Sequence, residues 1–370
     1  MRVLRIDEHS PFRQLVGVGG LGTGMFFALQ GDHTLGRNES RLGSLLDVRD
    51  YCKLHIVTHY VAKLLGANQG QFPVVPLGKV GDDAAGAFLL REMREVGIDT
   101  RFVKVVAGKP TLFSVCFQYP DGSGGNITTG NSAAAGLSEE DIDHAESLFQ
   151  SVGPKTIALL VPEVPLICRQ HFLGVAIQKG AFSAASFVSG EIADAKRLEM
   201  FDQLSLVSLN EEEAADFVGE SFTAGNPEVF LHKLFRLVAL EYPQLLVVMS
   251  AGKNGAYFVD RSGWTYSPAP KAEVASAAGA GDCLLGGVLA AMAAGIPLPS
   301  AHRRAATEPV LENALDFGVL LASYKVSSPH TIHPDASLDE LLRFAQQLGI
   351  SVVSEIEQLV SQKEILKASR

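Results

Sequence analysis

Short apolar runs alternating with amphipathic segments constrain this chain most. That rhythm buries its apolar faces as βαβ units around a mostly parallel sheet. Gln14 to Leu21 reads as a strand leading into glycines, and Phe72 to Leu77 as the next, although Pro73 and Pro76 cannot donate to a ladder. A helix from about Ile56 to Leu65 ends at Gly66. From Asp82 to Val96, the residues Ala85, Phe88, Leu89, Met93 and Val96 share one helical face, with Gly97 past its end. Strand-like pieces at Arg101 to Val106 and Thr111 to Tyr119 follow, then a turn at Asp121-Gly122. The rhythm resumes with strands near Thr156 to Val161, Leu204 to Val207 and Leu245 to Met249. Helices are expected near Glu211 to Val218, Ala280 to Ala294 and Leu311 to Lys325. Gly31 to Tyr51 is polar and irregular and receives no element, while Ser351 to Arg370 reads as an appended strand or helix. With no internal repeat and no low-complexity linker, residues 1–370 read as one α/β domain carrying a small β lid.

A chain of 370 residues buries enough apolar surface to fold without disulfides or a structural metal. The net charge of -10 excludes non-specific nucleic-acid binding, because there is no basic excess to displace phosphate counterions. It leaves open a phosphorylated small ligand held by backbone N–H groups. The cysteines Cys52, Cys116, Cys168 and Cys283 stand far apart, which fits reduced thiols. MRVLRIDEHS lacks an apolar signal core, and the longest apolar stretch, Cys283 to Leu298, falls short of the roughly 20 residues that span a bilayer. The expectation is a soluble cytoplasmic protein with no membrane partner.

The sharpest chemical signal is Ala278-Gly279-Ala280-Gly281-Asp282, leading into the apolar helix that starts Cys283-Leu284-Leu285. Small residues let the turn approach a ligand, and the helix beginning there offers unpaired N–H groups and the positive end of its dipole. Asp282 is the odd element, since a fixed carboxylate beside a phosphate repels it. The natural task is to accept the proton of an attacking hydroxyl while the loop amides stabilise the transferring phosphoryl group. The plain alternative is an ordinary helix start with an acid in its first turn.

Two further segments bear on that choice. Val248 to Ala256, with Ser250, Gly252 and Gly255, is a strand opening into a glycine turn where backbone can approach a nucleotide, though any strand–turn–strand connection also favours glycine. Asn210 with Glu213 three residues on reads either as a capping box or as a pair near hydrated Mg²⁺.

These three segments occur in the order and spacing of the ribokinase-like, or PfkB, carbohydrate kinases, and the chain resembles that family from about Val74 to Ser327. Gly78-Lys79-Val80-Gly81-Asp82-Asp83 and Gly97-Ile98-Asp99-Thr100 also look like its early segment. The resemblance implies a ribokinase-like three-layer sandwich with a lid drawn from segments near 32–55 and 101–129. ATP with Mg²⁺ would be the donor and a hydroxymethyl group of a sugar or nucleoside the acceptor. By position, Asp282 would be the base and Gly279, Ala280 and Gly281 the anion hole. Asn210 and Glu213 would order Mg²⁺, while Ser250, Gly252 and Gly255 would lie along the nucleotide. Family members often pair through their lids, so a homodimer is implied as well.

The chain also departs from the family. The acceptor-binding aspartate after the first strand is missing, where Gly19-Gly20-Leu21-Gly22-Thr23-Gly24 stands. Cys52-Lys53-Leu54-His55-Ile56-Val57 replaces the usual glycine pair and asparagine. Asp32, Asn38, Arg41 and Asn126 are therefore the candidate acceptor contacts. Ser276-Ala277-Ala278 replaces the family's Asp-Thr-Thr, whose aspartate helps bind a monovalent cation, so potassium dependence is open. Phe317-Gly318 and Thr331-Ile332-His333-Pro334 look like pseudouridine kinases, which makes a nucleoside acceptor the alternative. A ligand sensor that keeps the fold without turnover is the reading from another class.

Several motifs are decoys. Gly17-Val18-Gly19-Gly20-Leu21-Gly22 matches the dinucleotide fingerprint but needs a helix directly after it. His55 and His59 share a helical face without the glutamate of a zinc protease, and read as packing or acceptor contacts. His330 and His333 read as solvated loop residues, and Cys283 as a small buried residue rather than a nucleophile.

Overall fold

The computed structural model describes residues 2–121, 124–150, 152–222, 226–300 and 310–360. In chain order its strands include β1 (Gln14–Val18), β2 (Gly22–Leu29), β3 (Gly43–Tyr51), β4 (Val74–Gly81), β5 (Val103–Val106), β6 (Leu112–Gln118) and β7 (Gly124–Thr128). They continue with β8 (Thr156–Leu160), β9 (Phe182–Ser186), β10 (Leu206–Leu209), β11 (Leu246–Ser250), β12 (Gly255–Asp260) and β13 (Gly263–Pro268).

Among the described residues, nine strands form one sheet in the order β13-β12-β11-β10-β9-β8-β1-β4-β5. Every pairing from β11 across to β5 is parallel, and only β12 and β13 add antiparallel at one edge. The central strands β1 and β8 are buried along their whole length, as continuous apolar runs must be when helices cover both faces. Two apolar clusters flank the sheet. One gathers Leu54, Leu285, Leu320 and Leu341 from helices Lys53–Leu65, Ala280–Ala293, Ala314–Lys325 and Leu338–Gln347. The other gathers Phe172, Phe217 and Leu234 from helices Leu166–Gln178, Glu211–Val218 and Pro227–Glu241. The result is the expected three-layer α/β sandwich.

A second sheet of four strands, β3-β2-β6-β7, stands apart as the lid, with β2 and β6 parallel and both outer pairings antiparallel. Its register sorts the side chains. Met25, Val115 and Ile127 align on one face, and Phe26, Cys116 and Asn126 on the other. Ile127 at 70% and Leu45 at 60% exposure leave the first face open.

Several boundaries differ from expectation for physical reasons. The glycine-rich stretch after β1 turns into β2, a lid strand partly exposed on both faces and so lacking clean alternation. This removes the dinucleotide reading, since no helix follows the glycines. The irregular segment ends in β3, and helix Lys53–Leu65 begins three residues before Ile56. Val103–Val106, expected near the lid, pairs with β4 at the edge of the large sheet. Pro76 is tolerated because β5 pairs only with residues 78–81, leaving that part of β4 a neighbour on one side. Ser351–Val352 pairs with Val310–Leu311 and helix Ser354–Leu359 follows, while residues 361–370 and Gly122 of the expected turn lie outside the described residues.

Candidate active site

Helix Ala280–Ala293 begins at Gly279, whose left-handed φ of 76° reverses the chain into the first turn. A Cβ there would meet the Thr331 carbonyl oxygen at 2.8 Å and Ile56 Cδ1 at 3.3 Å, so both conformation and space require glycine. A Cβ on Gly281 would meet nothing within 4 Å, so the turn faces open space. Ala280 donates to the Ala277 carbonyl at 3.1 Å and Cys283 to the Gly279 carbonyl at 2.9 Å. The N–H groups of Gly281 and Asp282 lie between them in the first turn, where helix geometry offers no acceptor.

In front of this turn runs a groove of about 910 Å³ whose walls include Asn210, Ser250, Gly252, Gly255, Ala280 and Gly281. Leu284, Val319 and Val326 add an apolar side. Asn210 follows β10 and Ser250 ends β11, so the groove lies at the carboxyl ends of parallel strands, where α/β sheets bind ligands. Gly252 and Gly255 turn the chain with φ of 51° and 112°. Three segments separated in sequence thus share one cleft.

Asn210 and Glu213 do form a capping box: the Glu213 N–H donates to Asn210 Oδ1 and the Asn210 N–H to Glu213 Oε2, both at 2.8 Å. Capping does not exhaust Glu213. Its carboxyl is buried, which pushes its pKa up, while Lys53 and the Asn210 N–H hold it down and Asp282 raises it again. Oxygen donors and an undercompensated negative charge suit a hard hydrated cation such as Mg²⁺. Among the described residues no three His, Cys, Asp or Glu side chains form a closed metal cage.

The structure adds a charged cluster that sequence reasoning passed over. Lys53 Nζ stands 3.6 Å from Asp282 Oδ1. Its pKa is held up first by Asp282, against burial, with Glu213 and Glu163 adding to the effect. Glu163 follows β8 with a left-handed φ of 76°. Burial lifts its carboxyl to about 7, with the Cys52 thiol and Lys53 opposing. Its Oε2 is buried and has no hydrogen-bond partner among the described residues. A Cβ on Gly20 would stand 2.8 Å from that oxygen, so Glu163 covers Gly20 in the stretch after β1. The signal in the sequence was a lone acid between Pro162 and Pro165 after an apolar strand. Asp50, at the base of β3, is raised to about 6 by burial and accepts from the Cys116 thiol at 3.7 Å. Asp282 raises both carboxyls further, which sets all three acids in one electrostatic neighbourhood.

Of the acceptor candidates, Asn126 pairs with Cys116 on the lid face that carries Asp50. Asp32, Asn38 and Arg41 are not brought to this cluster. They lie in the connection beyond Leu29 and Gly43, at about 3.3 Å per residue roughly 20 Å along β3 from Asp50. Arg41 is bonded there to Glu39 at 2.5 Å and to the His33 carbonyl at 2.6 Å.

The remaining decoys resolve as packing. His55 is buried, its pKa pushed down to about 3, and neither ring nitrogen has a partner among the described residues. Cys283 is buried and burial pushes its thiol up, away from nucleophilic chemistry. His330 and His333 are half-buried and make specific contacts. His330 Nδ1 accepts from the Arg49 N–H at 3.0 Å and His333 stacks on Tyr324 with centroids 4.3 Å apart. Between them Thr331 accepts from the Tyr51 N–H, tying the base of the lid to the loop that abuts Gly279.

Known proteins share this architecture. The ribokinase of Giardia lamblia superposes with a TM-score of 0.71 at 16% identity, covering 90% of this chain and 99% of that one. The ribokinase of Cryptococcus neoformans var. grubii serotype A, solved in complex with ADP, gives 0.70 at 19% identity, with 90% and 99% covered. A nucleoside kinase of Burkholderia thailandensis in complex with inosine gives 0.66 at 15% identity, with 91% and 99% covered. In sequence, the ribokinase of Dictyostelium discoideum is 27% identical over 165 residues, which span 45% of this chain and about half, 49%, of that relative. Residues 57–338, well over half of the chain, match the pfkB family of carbohydrate kinases, and the protein belongs to that family.

Proposed function

We propose that this protein moves the γ-phosphate of ATP to a hydroxymethyl group of a sugar or sugar-like molecule, with Asp282 as general base. The observation that carries the reading is the single cleft that brings Asn210, Ser250, Gly252 and Gly255 to the open amides beside Asp282. The nucleotide lies along the Ser250–Gly255 turn with its phosphates toward Gly279, Ala280 and Gly281. Those amides stabilise charge on the transferring group while Asp282 takes the proton of the attacking hydroxyl. Lys53, 3.6 Å from Asp282, positions that carboxylate beside the turn. Asn210 and Glu213 would hold Mg²⁺, which would supply charge neutralisation at the phosphates.

Glu163, Asp50 and Asn126 are the acceptor contacts in this proposal, rather than Asp32, Asn38 and Arg41. A buried acceptor oxygen without a donor costs about 1–3 kcal/mol, and an acceptor hydroxyl would satisfy Glu163 Oε2. Three carboxylates around the acceptor favour a neutral polyol over a phosphorylated or acidic one. Closure of the lid excludes water. Its apolar outer face, with Ile127 and Leu45 exposed, makes a homodimer through paired lids the assembly we propose. We propose a cytoplasmic location, which four unpaired cysteines would suit. Among the described residues no helix is long and apolar enough to cross a membrane.

The test is ATP consumption against pentoses, hexoses, cyclitols, sugar acids and nucleosides. Turnover on one neutral polyol supports the reading, and a nucleoside alone would move the acceptor class. ATP binding with no acceptor phosphorylated would leave a ligand sensor instead.

A further inference from the structure

Lys325 closes helix Ala314–Lys325 and is completely buried, at 0% exposure. Its Nζ donates to the Ser276 carbonyl at 3.0 Å and to the Ala278 carbonyl. The neighbouring backbone reinforces the contact: the Ala275 and Ser276 N–H groups donate to the Val326 carbonyl at 2.8 and 3.2 Å. Ser276 Oγ accepts from the Ala278 N–H at 3.2 Å, which closes a small turn. The segment held in this way runs directly into Gly279 and the anion-binding amides.

A buried ammonium is costly unless compensated, and among the described residues no carboxylate forms an ion pair with Lys325. Burial lowers its pKa to about 8, with Cys283 and Asp50 opposing, which leaves it mostly charged at neutral pH. Its compensation is carbonyl oxygen. Two carbonyls that converge repel each other unless a cation lies between them. A potassium ion can be held by carbonyl oxygens alone, and the Lys325 ammonium fills that role here with its own N–H donors. Ser276 itself is uncharged and adds no anionic ligand to these carbonyls.

We propose that Lys325 is a positioning residue that serves as a built-in monovalent cation, fixing the Ser276 and Ala278 carbonyls so that the Gly279–Asp282 turn presents its amides without added potassium. This rests on the phosphotransferase reading of the site. Lys325 itself stays behind the turn and touches no reacting atom.

The experiment compares wild type with Lys325→Met in buffers whose only monovalent cation is choline, then with potassium or ammonium added. Wild-type turnover should not change. Lys325→Met should lose about tenfold to a hundredfold in kcat, the range for a group displaced by an ångström, and recover in part with potassium or ammonium but not with choline. A purely structural role predicts no such rescue. Potassium stimulation of wild type, full activity of Lys325→Met, or a folded mutant that no cation restores would each overturn the proposal. If Lys325→Met does not fold, the wild-type potassium response decides alone. ADP binding by calorimetry keeps this test separate from the kinase reading. If no acceptor is turned over, weaker ADP binding in Lys325→Met that ammonium restores still supports the role of Lys325, and unchanged binding removes it.

Discussion

Lys53 and Asp282 face each other across the start of two helices, Nζ to Oδ1 at 3.6 Å, with side chains only 25% and 13% exposed. Lys53 opens helix Lys53–Leu65, and Asp282 sits in the first turn of helix Ala280–Ala293. With Glu213 and Glu163 also acting on it, one ammonium compensates several acids. Lys53→Met should therefore lower the melting temperature as well as turnover, since removing one partner of a buried pair costs about 3–5 kcal/mol and exposure trims that figure here. Lys53→Arg should restore most of the stability and less of the activity. Thermal melts beside steady-state kinetics separate the two effects.

Asp282→Asn should cut kcat by about 10²–10⁴ while ADP affinity stays near wild type, because the amides that hold phosphate are backbone. An equal loss of ADP affinity would instead assign Asp282 to binding.

Acidity should stabilise the free protein through Glu163 and Asp50. Burial raises their carboxyls to about 7 and about 6, so the folded chain keeps protons that the unfolded chain releases at lower pH. Stability from these groups is present near pH 4 and declines as pH rises through about 7. For Glu163 the difference is on the order of 3 kcal/mol. Melts of wild type and Glu163→Gln between these limits should diverge, the mutant gaining most at the alkaline end. Acceptor KM should move the opposite way, improving with pH as the carboxylates ionise.

Gly279→Ala should cripple turnover more than folding. The left-handed φ costs about 1–2 kcal/mol for alanine, and its methyl would press on the Thr331 carbonyl. Circular dichroism of a folded mutant together with its kcat checks this.

Ile127→Lys should halve the mass measured by light scattering if lids pair through their exposed face, at little cost to the folded protomer. A monomeric wild type would end that proposal.

The sheet and the Gly279–Asp282 turn were legible because they rest on local signals: apolar runs such as Leu246–Ser250, and small residues before Asp282. Helix Glu211–Val218 matched to the residue because Asn210 and Gly219 cap it. β9, with sequence FSAAS, was not recognised, since serine and alanine give a buried strand no β-branched signature. The acceptor side was least legible. Asp50 and Lys53 flank one short junction, but Glu163 lies more than a hundred residues on, and only the parallel register of β1 with β8 brings it to them. Arg41 drew attention as a charged residue in a polar segment, yet its partners are its own neighbours.

The junction Tyr51-Cys52-Lys53 is a single residue long between the edge strand β3 of the lid and the first turn of a core helix. Asp50 rides on one side of that hinge and Lys53 on the other. A movement of the lid about this junction would shift the Lys53 ammonium against Asp282, and under the proposed reading a ligand gripping Asp50 would act on the counter-ion of the base. Arrival of the correct acceptor would then work as a mechanical release, linking recognition at the lid to chemistry at the turn through one peptide's worth of chain.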